Sequence, residues 1–244
     1  MRKEHKPFLI KKLQRYINNV YVERIVRPQF DSLGICPFFL RPQSLQITGK
    51  NISAGHHLHI ISEKHQPVKM FAWSSKQEQG HIRIGDHCLI SPGVNIASAI
   101  NIEIGHNCMI AADVNISDSD WHGLYNRTRP FKCSAPIVIH DNVWIGLRAI
   151  IGKGVTIGEN SVIAAGSVVI QDIEANCVAG GNPAKVIKKL NPRRRMLKRD
   201  VLFDNVTQDP QAYLNNQIEL DKYLLHNNTF FNWIRSKISP GQND

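Results

Sequence analysis

The chain has 244 residues, 42% of them hydrophobic and 20% charged, a composition that supports one sizeable core with appendages and argues against disorder as the main state. No apolar run approaches the roughly 20 residues that span a bilayer. The opening MRKEHKPFLIKKLQRY has basic residues but neither the apolar core nor the cleavage site of a leader, so a cytoplasmic protein is expected. The net charge of +10 is concentrated: residues 1–28 hold eight Lys/Arg against two Glu, residues 184–199 hold eight and no acid, and the remainder of the chain carries −4.

In chain order, Leu9, Leu13, Tyr16, Ile17, Val20 and Tyr21 recur at helical spacing and Pro28 ends the pattern, so residues 1–34 are read as an N-terminal amphipathic helical segment. Residues 35–80 carry weaker hints of a repeat, such as Ile52 and Leu58. A period of six then takes over. Ile84, Ile90 and Ile96 form one run, Ile104, Ile110 and Ile116 a second, and Ile139, Ile145, Ile151, Ile157, Ile163 and Val169 a third without a gap. At 100° per residue, six steps would walk these side chains around a helix, which excludes one amphipathic helix. An even period suits one strand face, but glycines such as Gly85, Gly105, Gly146, Gly152 and Gly158 would punctuate any long strand. An antiparallel sandwich would not keep one register through six consecutive repeats. What remains is a coil of very short strands with a corner at each repeat, three sides closing a triangular turn of about 18 residues. The expected fold class is mainly β: a triangular hexapeptide-repeat solenoid over residues 35–190 with helical caps at both ends.

Gly180, Gly181 and Pro183 end the prism. The following AKVIKKLNPRRRMLKR has no aromatic residue to stack a base, so nucleic acid is not an expected partner; a phosphorylated small molecule or the anionic inner face of a membrane, met peripherally through the basic segments, fits this charge. In the extension over 191–244, Asp209 and Pro210 read as an N-cap and first turn before Tyr213, Leu214, Ile218 and Leu225. Phe230, Phe231, Trp233 and Ile234 suggest a second helical piece. The five cysteines are odd in number and scattered, which supports neither a disulfide framework nor a metal knuckle.

The longest excursion between the regular runs lies between Ile116 and Ile139, where SDSDWHGLYNRTRPFKCSAP (Ser117–Pro136) is polar: a candidate functional loop on a rigid scaffold. Within it Asp118, Asp120 and His122 are spaced by two. On an extended segment they would share one face, letting a carboxylate orient an imidazole that takes a proton. His122 is the expected general base, Asp120 the preferred orienting carboxylate and Asp118 the second choice.

The lattice, the extruded loop, VWIG at Val143–Gly146 and IGENSVIAAGSVV running into AGGNPAKVIKK together resemble the left-handed β-helix acyltransferases, especially the sugar O-acetyltransferase branch, over about Ile82 to Lys189. The resemblance implies a left-handed parallel β-helix, homotrimers with active sites between neighbouring prisms, acyl transfer from acetyl-CoA to a hydroxyl, and no metal. It places the catalytic histidine within one position of His122. For the cofactor it points to Trp144, Gly146, Leu147, Ala164 and Ala165, with Lys185 and Lys188 standing where relatives have arginines, and with Ile170 and Gln171 in place of a Thr and a Lys. On the acceptor side, Ser91 and Ala99 stand where galactoside acetyltransferases hold the sugar with Asn and Asp, so a different acceptor is expected; Ser91, Asp118 and Trp121 are its candidate contacts.

The reading that follows is O-acetylation of a sugar or glycan acceptor, of the kind found in a bacterial-type surface polysaccharide or its precursor. An amino-sugar N-acetyltransferase or antibiotic-modifying enzyme, and a non-catalytic trimeric scaffold, remain alternatives. A γ-type carbonic anhydrase, another enzyme on this fold, needs a second zinc histidine where Ser117 stands.

Overall fold

In the computed structural model, residues 5–74, 79–128, 133–191, 193–203 and 211–239 are described. Short strands stack into three sides. Side A comprises Ser32–Leu33, Ile52–Ala54, Ile82–Ile84, Ile102–Ile104, Ile137–Ile139 and Thr156–Ile157. Side B runs from Phe38–Leu40 through His59–Ile61, Leu89–Ile90, Met109–Ile110, Trp144–Ile145 and Val162–Ile163 to Cys177–Gly181. Side C runs from Gln46–Thr48 through Lys69–Ala72, Asn95–Ser98, Asn115–Ser117 and Ile150–Ile151 to Val168–Val169. The chain visits A, B and C in turn and each strand pairs in parallel with the one a full coil away, the three-sided β-helix expected from the period.

Register accounts for the period. Ile84, Ile104 and Ile139 are directly paired on side A; Ile90, Ile110, Ile145 and Ile163 on side B; Ile96, Ile116, Ile151 and Val169 on side C. All are buried. Identical branched side chains thus stack at the strand spacing of about 4.8 Å and fill the prism axis. The corners turn through left-handed backbone, held at the A-to-B corner by His57, His87, Asn107, Asn142, Asn160 and Asn176. The asparagine amides link coil to coil, Asn142 donating to Asn160 and Asn160 to Asn176 at 2.9 and 3.1 Å. At Gly85 a Cβ would lie 2.6 Å from the backbone of Gly105 one coil on, so the corner closes only with glycine.

The first coil is covered by Val22, Val26 and Phe30, all in the core cluster. They follow helix α1 (Phe8–Tyr21) in a π-turn, Val22–Val26, and a 3-10 turn, Arg27–Gln29, that contains Pro28. The difference from the sequence reading lies in α1 itself: none of its residues is buried, and of the predicted stripe Tyr21 packs on the core while Leu9, Leu13, Tyr16, Ile17 and Val20 are exposed. At the other end, Cys177–Gly181 and Ala184–Lys189 form an antiparallel hairpin across a cis Asn182–Pro183 peptide.

Beyond the hairpin the chain doubles back along the A-to-B corner as a strap. Asn142 contacts Met196 at 3.6 Å, Asp200 exchanges hydrogen bonds with Asn107, Arg199 Nε donates to the His87 carbonyl, and Phe203 packs against His57, His87 and Tyr213. Nearby, burial drives the His59 pKa down to about 4, with the Arg199 charge adding to the effect. Helices α2 (Ala212–Leu224) and α3 (Phe230–Ile238) follow and reach α1: Asp221 pairs with Lys11 and Arg15, and Asn228 donates to the Lys6 carbonyl. The predicted cap at Asp209 and Pro210 falls outside the described residues. Among those described, no helix is long and apolar enough to cross a membrane.

Candidate active site

The loop leaves the prism at the C-to-A corner, after Asn115–Ser117, through a neck of two antiparallel segments. Ser119 bridges Ser134, Asp120 N–H donates to the Cys133 carbonyl, and Ala135 N–H donates to the Asp118 carbonyl. Ser134 Oγ donates to Ser119 Oγ, which also receives the Trp121 N–H.

Asp118 is the anchor of this neck. Its side chain is fully buried and its carboxylate accepts from Ser98 Oγ and from the backbone N–H groups of Ala99, Ile100 and Asn101 at 2.6–2.9 Å. The expectation that Asp118, Asp120 and His122 share a face is therefore corrected: Asp118 points into the corner, and the left-handed backbone at Trp121 (φ 64°) breaks the alternation before His122. Asp120 is exposed and forms an ion pair with Lys153, whose Nζ also donates to the Cys133 carbonyl. His122 is exposed and, with Gly123, Leu124 and Arg127, lines an open depression of about 480 Å³. No side chain among the described residues hydrogen-bonds its ring. Trp121 packs edge-on against Trp73, centroids 5.4 Å apart, and beside His122 the side chains of Leu124 and Tyr125 project into solvent.

The residues expected to hold the cofactor lie on another corner. The register Leu89–Met109–Trp144–Val162 puts Ser91, Ala111, Gly146 and Ala164 in one column at the B-to-C corner. This column is a ladder of small residues with Trp144, Leu147 and Ala165 exposed beside it. Gly146 is buried: a Cβ there would sit 2.6 Å from the Ile163 carbonyl oxygen and 2.7 Å from Ala165 N, so coil stacking demands the glycine. Ala99, buried, spends its N–H on Asp118. Lys185 and Lys188 lie on the terminal hairpin strand, exposed and without an ion pair among the described residues; the neighbouring Lys189 pairs with Glu174.

Loop and column are thus separated by the whole of side C, six residues or about 20 Å of extended chain. Ile150, on that side, is 47% exposed and so is not covered by the described part of the loop. The loop and the column lie on different edges of one prism.

The "Bacterial transferase hexapeptide (six repeats)" model matches residues 136–171, and the "Hexapeptide repeat of succinyl-transferase" model matches 81–117. A maltose O-acetyltransferase from Clostridium difficile 630 is 30% identical in sequence, with 74% of this chain covering 84% of that one (TM-score 0.42). The chain belongs to the hexapeptide-repeat family. Its fold is the family's left-handed β-helix. An N-acyltransferase from Bacillus cereus shares this fold at 18% identity, with a TM-score of 0.55 over 70% of this chain and 90% of that one. Galactoside O-acetyltransferase from Escherichia coli K12 is 57% identical over 60 residues, 25% of this chain and 30% of that protein. The hexapeptide-repeat chain spans about a third of the length of the curated relatives it matches.

Three residues of this hexapeptide-repeat site escaped the sequence reading. Trp73 and Lys153 meet the loop from 48 and 33 positions away, a separation that only the stacking of coils closes. Cys133, buried at the neck, lies against Ser119 Oγ at 3.6 Å. Asp118→Ala will take the acceptor from one buried and two half-buried N–H donors, a loss of about 2–4 kcal/mol. Differential scanning calorimetry should record this as a midpoint about 5–10 °C lower. A variant with unchanged stability would return Asp118 to the list of reacting groups.

Proposed function

We propose that this protein is an O-acetyltransferase that moves an acetyl group from acetyl-CoA to a sugar hydroxyl, in a site formed between neighbouring subunits of a homotrimer. One observation carries the reading: the histidine loop and the small-residue column occupy different corners of one prism, so a productive site needs the loop of one subunit against the column of the next. The projecting Leu124 and Tyr125 support this, since both would be covered by such a neighbour.

The residues present fit the cofactor. The column of Ser91, Ala111, Gly146 and Ala164 leaves room for an extended chain to lie close to backbone, Trp144 and Leu147 give it an apolar wall, and Lys185 and Lys188 bring positive charge for phosphates. When bound, acetyl-CoA supplies a thioester carbonyl with a thiolate as leaving group. His122 takes the proton from the acceptor hydroxyl as that oxygen attacks. Trp121 and Trp73 offer flat apolar surface on which the face of a sugar ring can rest. Asp120, tied to Lys153, acts on the position of the loop rather than on the imidazole. The acceptor class is a glycan of a surface polysaccharide or its precursor, for which the open depression around His122 leaves space.

Three measurements test the proposal, using an acceptor found by screening sugars and sugar nucleotides for release of free CoA. His122→Ala should lower kcat by about 10²–10⁴ while leaving the KM for acetyl-CoA within about twofold; full activity in the folded variant rejects the base. Next, His122→Ala and Ala165→Trp, each inactive alone, should recover about a quarter of wild-type activity when co-assembled, the share of shared sites that receive both intact halves at random. No recovery in verified mixed oligomers means that each subunit carries its own complete site. Finally, Lys185→Ala should raise the KM for acetyl-CoA more than that for its 3′-dephospho analogue, and equal changes would remove Lys185 from the phosphate.

A further inference from the structure

Helix α1 is docked inside out. At 100° per residue Leu9, Leu13, Tyr16, Ile17 and Val20 fall within an arc of about 100°. Lys11 and Arg15 lie on the opposite face. It is that polar face which the protein holds, through the buried Asp221 of α2, at 3.0 Å to Lys11 and in a second ion pair to Arg15. The apolar arc is left outside, with Leu9 75% and Ile17 52% exposed. An ordinary surface helix does the reverse and turns such a stripe to the core.

A second helix repeats the arrangement at the same place. In α3, Phe230, Phe231, Ile234 and Ile238 fall within a similar arc of about 100°, and all four are exposed. The chain just before α3 is fastened to the start of α1 by the Asn228 amide on the Lys6 carbonyl. Charge accompanies both stripes. Within their bounds α1 carries Lys11, Lys12 and Arg15 and no acid, and α3 carries Arg235 and Lys237 and no acid. Among the described residues, Asp221 takes up Lys11 and Arg15.

We propose that α1 and α3 together form a platform that docks on an anionic lipid surface, their apolar arcs entering the headgroup–acyl boundary. Charge complementarity decides for this occupant. Lys12 flanks the α1 arc and Lys237 the α3 arc, both exposed; a second copy brought face to face would set these like charges together, whereas anionic headgroups neutralise them while the acyl region covers the aliphatics. Tyr16, at the edge of its arc, carries the amphipathic ring that favours a membrane interface. The other basic segment, Arg193–Arg195, lies at the far end of the prism, between the contacts of Leu190 with Asn176 and Met196 with Asn142, and takes no part. The inference is independent of the acyl-transfer reading.

The test uses the full chain and sedimentation with vesicles of phosphatidylcholine alone or with about one-third phosphatidylglycerol. Wild type should bind the mixed vesicles at least about tenfold better than the neutral ones, and Leu13→Gln/Ile17→Gln should lose at least about tenfold of that binding. Its thermal midpoint and its mass by light scattering should stay unchanged, because both side chains are exposed. Phe231→Gln/Ile238→Gln should do the same from the other helix. The proposal is overturned by a wild type that ignores the mixed vesicles or binds both kinds equally. It is overturned equally by a variant that binds undiminished, or by a fall in oligomeric mass in Leu13→Gln/Ile17→Gln, which would make the stripe a subunit contact.

Discussion

Everything in this protein hangs on the vertical stacking of identical branched side chains. Ile84 above Ile104 above Ile139, and the matching columns on the other two sides, fill the axis with no alternative packing: moving one coil by a single residue would turn its isoleucines outward and its polar neighbours in. That constraint fixes the coils so firmly that the three corners are free to differ. The A-to-B corner takes a ladder of asparagines and histidines and is overlaid by the strap. The B-to-C corner is reduced to small residues, and the C-to-A corner opens to release a loop. Division of labour among corners, rather than a pocket dug into a core, organises the molecule.

The same constraint explains how a loop can be both long and well placed. Its neck is pinned by Asp118, which collects three N–H groups of the preceding coil, and by Lys153 from the following one, which holds Asp120 and the Cys133 carbonyl. The excursion is braced from above and below by the coils that interrupt themselves to let it out. His122 can then stay exposed without losing its position relative to the prism.

Much of this architecture was readable from spacing, because a period of six is a direct imprint of coil stacking, and the break in that period marked the loop. The roles inside the loop were less readable. Alternation by two suggested that Asp118, Asp120 and His122 lie together, yet alternation holds only for extended backbone, and the turn at Trp121 ends it. Asp118 reads in sequence as a carboxylate available to orient His122 or to meet the acceptor, because nothing local betrays the three amide donors waiting at Ala99–Asn101. Trp73 could not be linked to Trp121, nor Lys153 to Asp120, since one-dimensional spacing says nothing about contacts made across coils. The stripe on α1 was correctly read as amphipathic, but periodicity gives an arc and not the direction it faces; the polar face is held inward by Asp221 and, through Asn18, by Gln43, both distant in sequence.

The strap has a further bearing on how the chain holds together. A stack of coils is a one-dimensional object in which each layer touches only its neighbours, and such stacks fray from their ends. Here the segment from Met196 to Phe203 crosses from the coil of Asn142 to that of His57, and the helices beyond it clasp α1, which runs directly into the cover of the first coil. The open stack becomes a closed circuit, in which peeling the last coil also loosens the cover of the first. Local fraying is thereby converted into a cooperative event, and the two ends of the prism share a single stability.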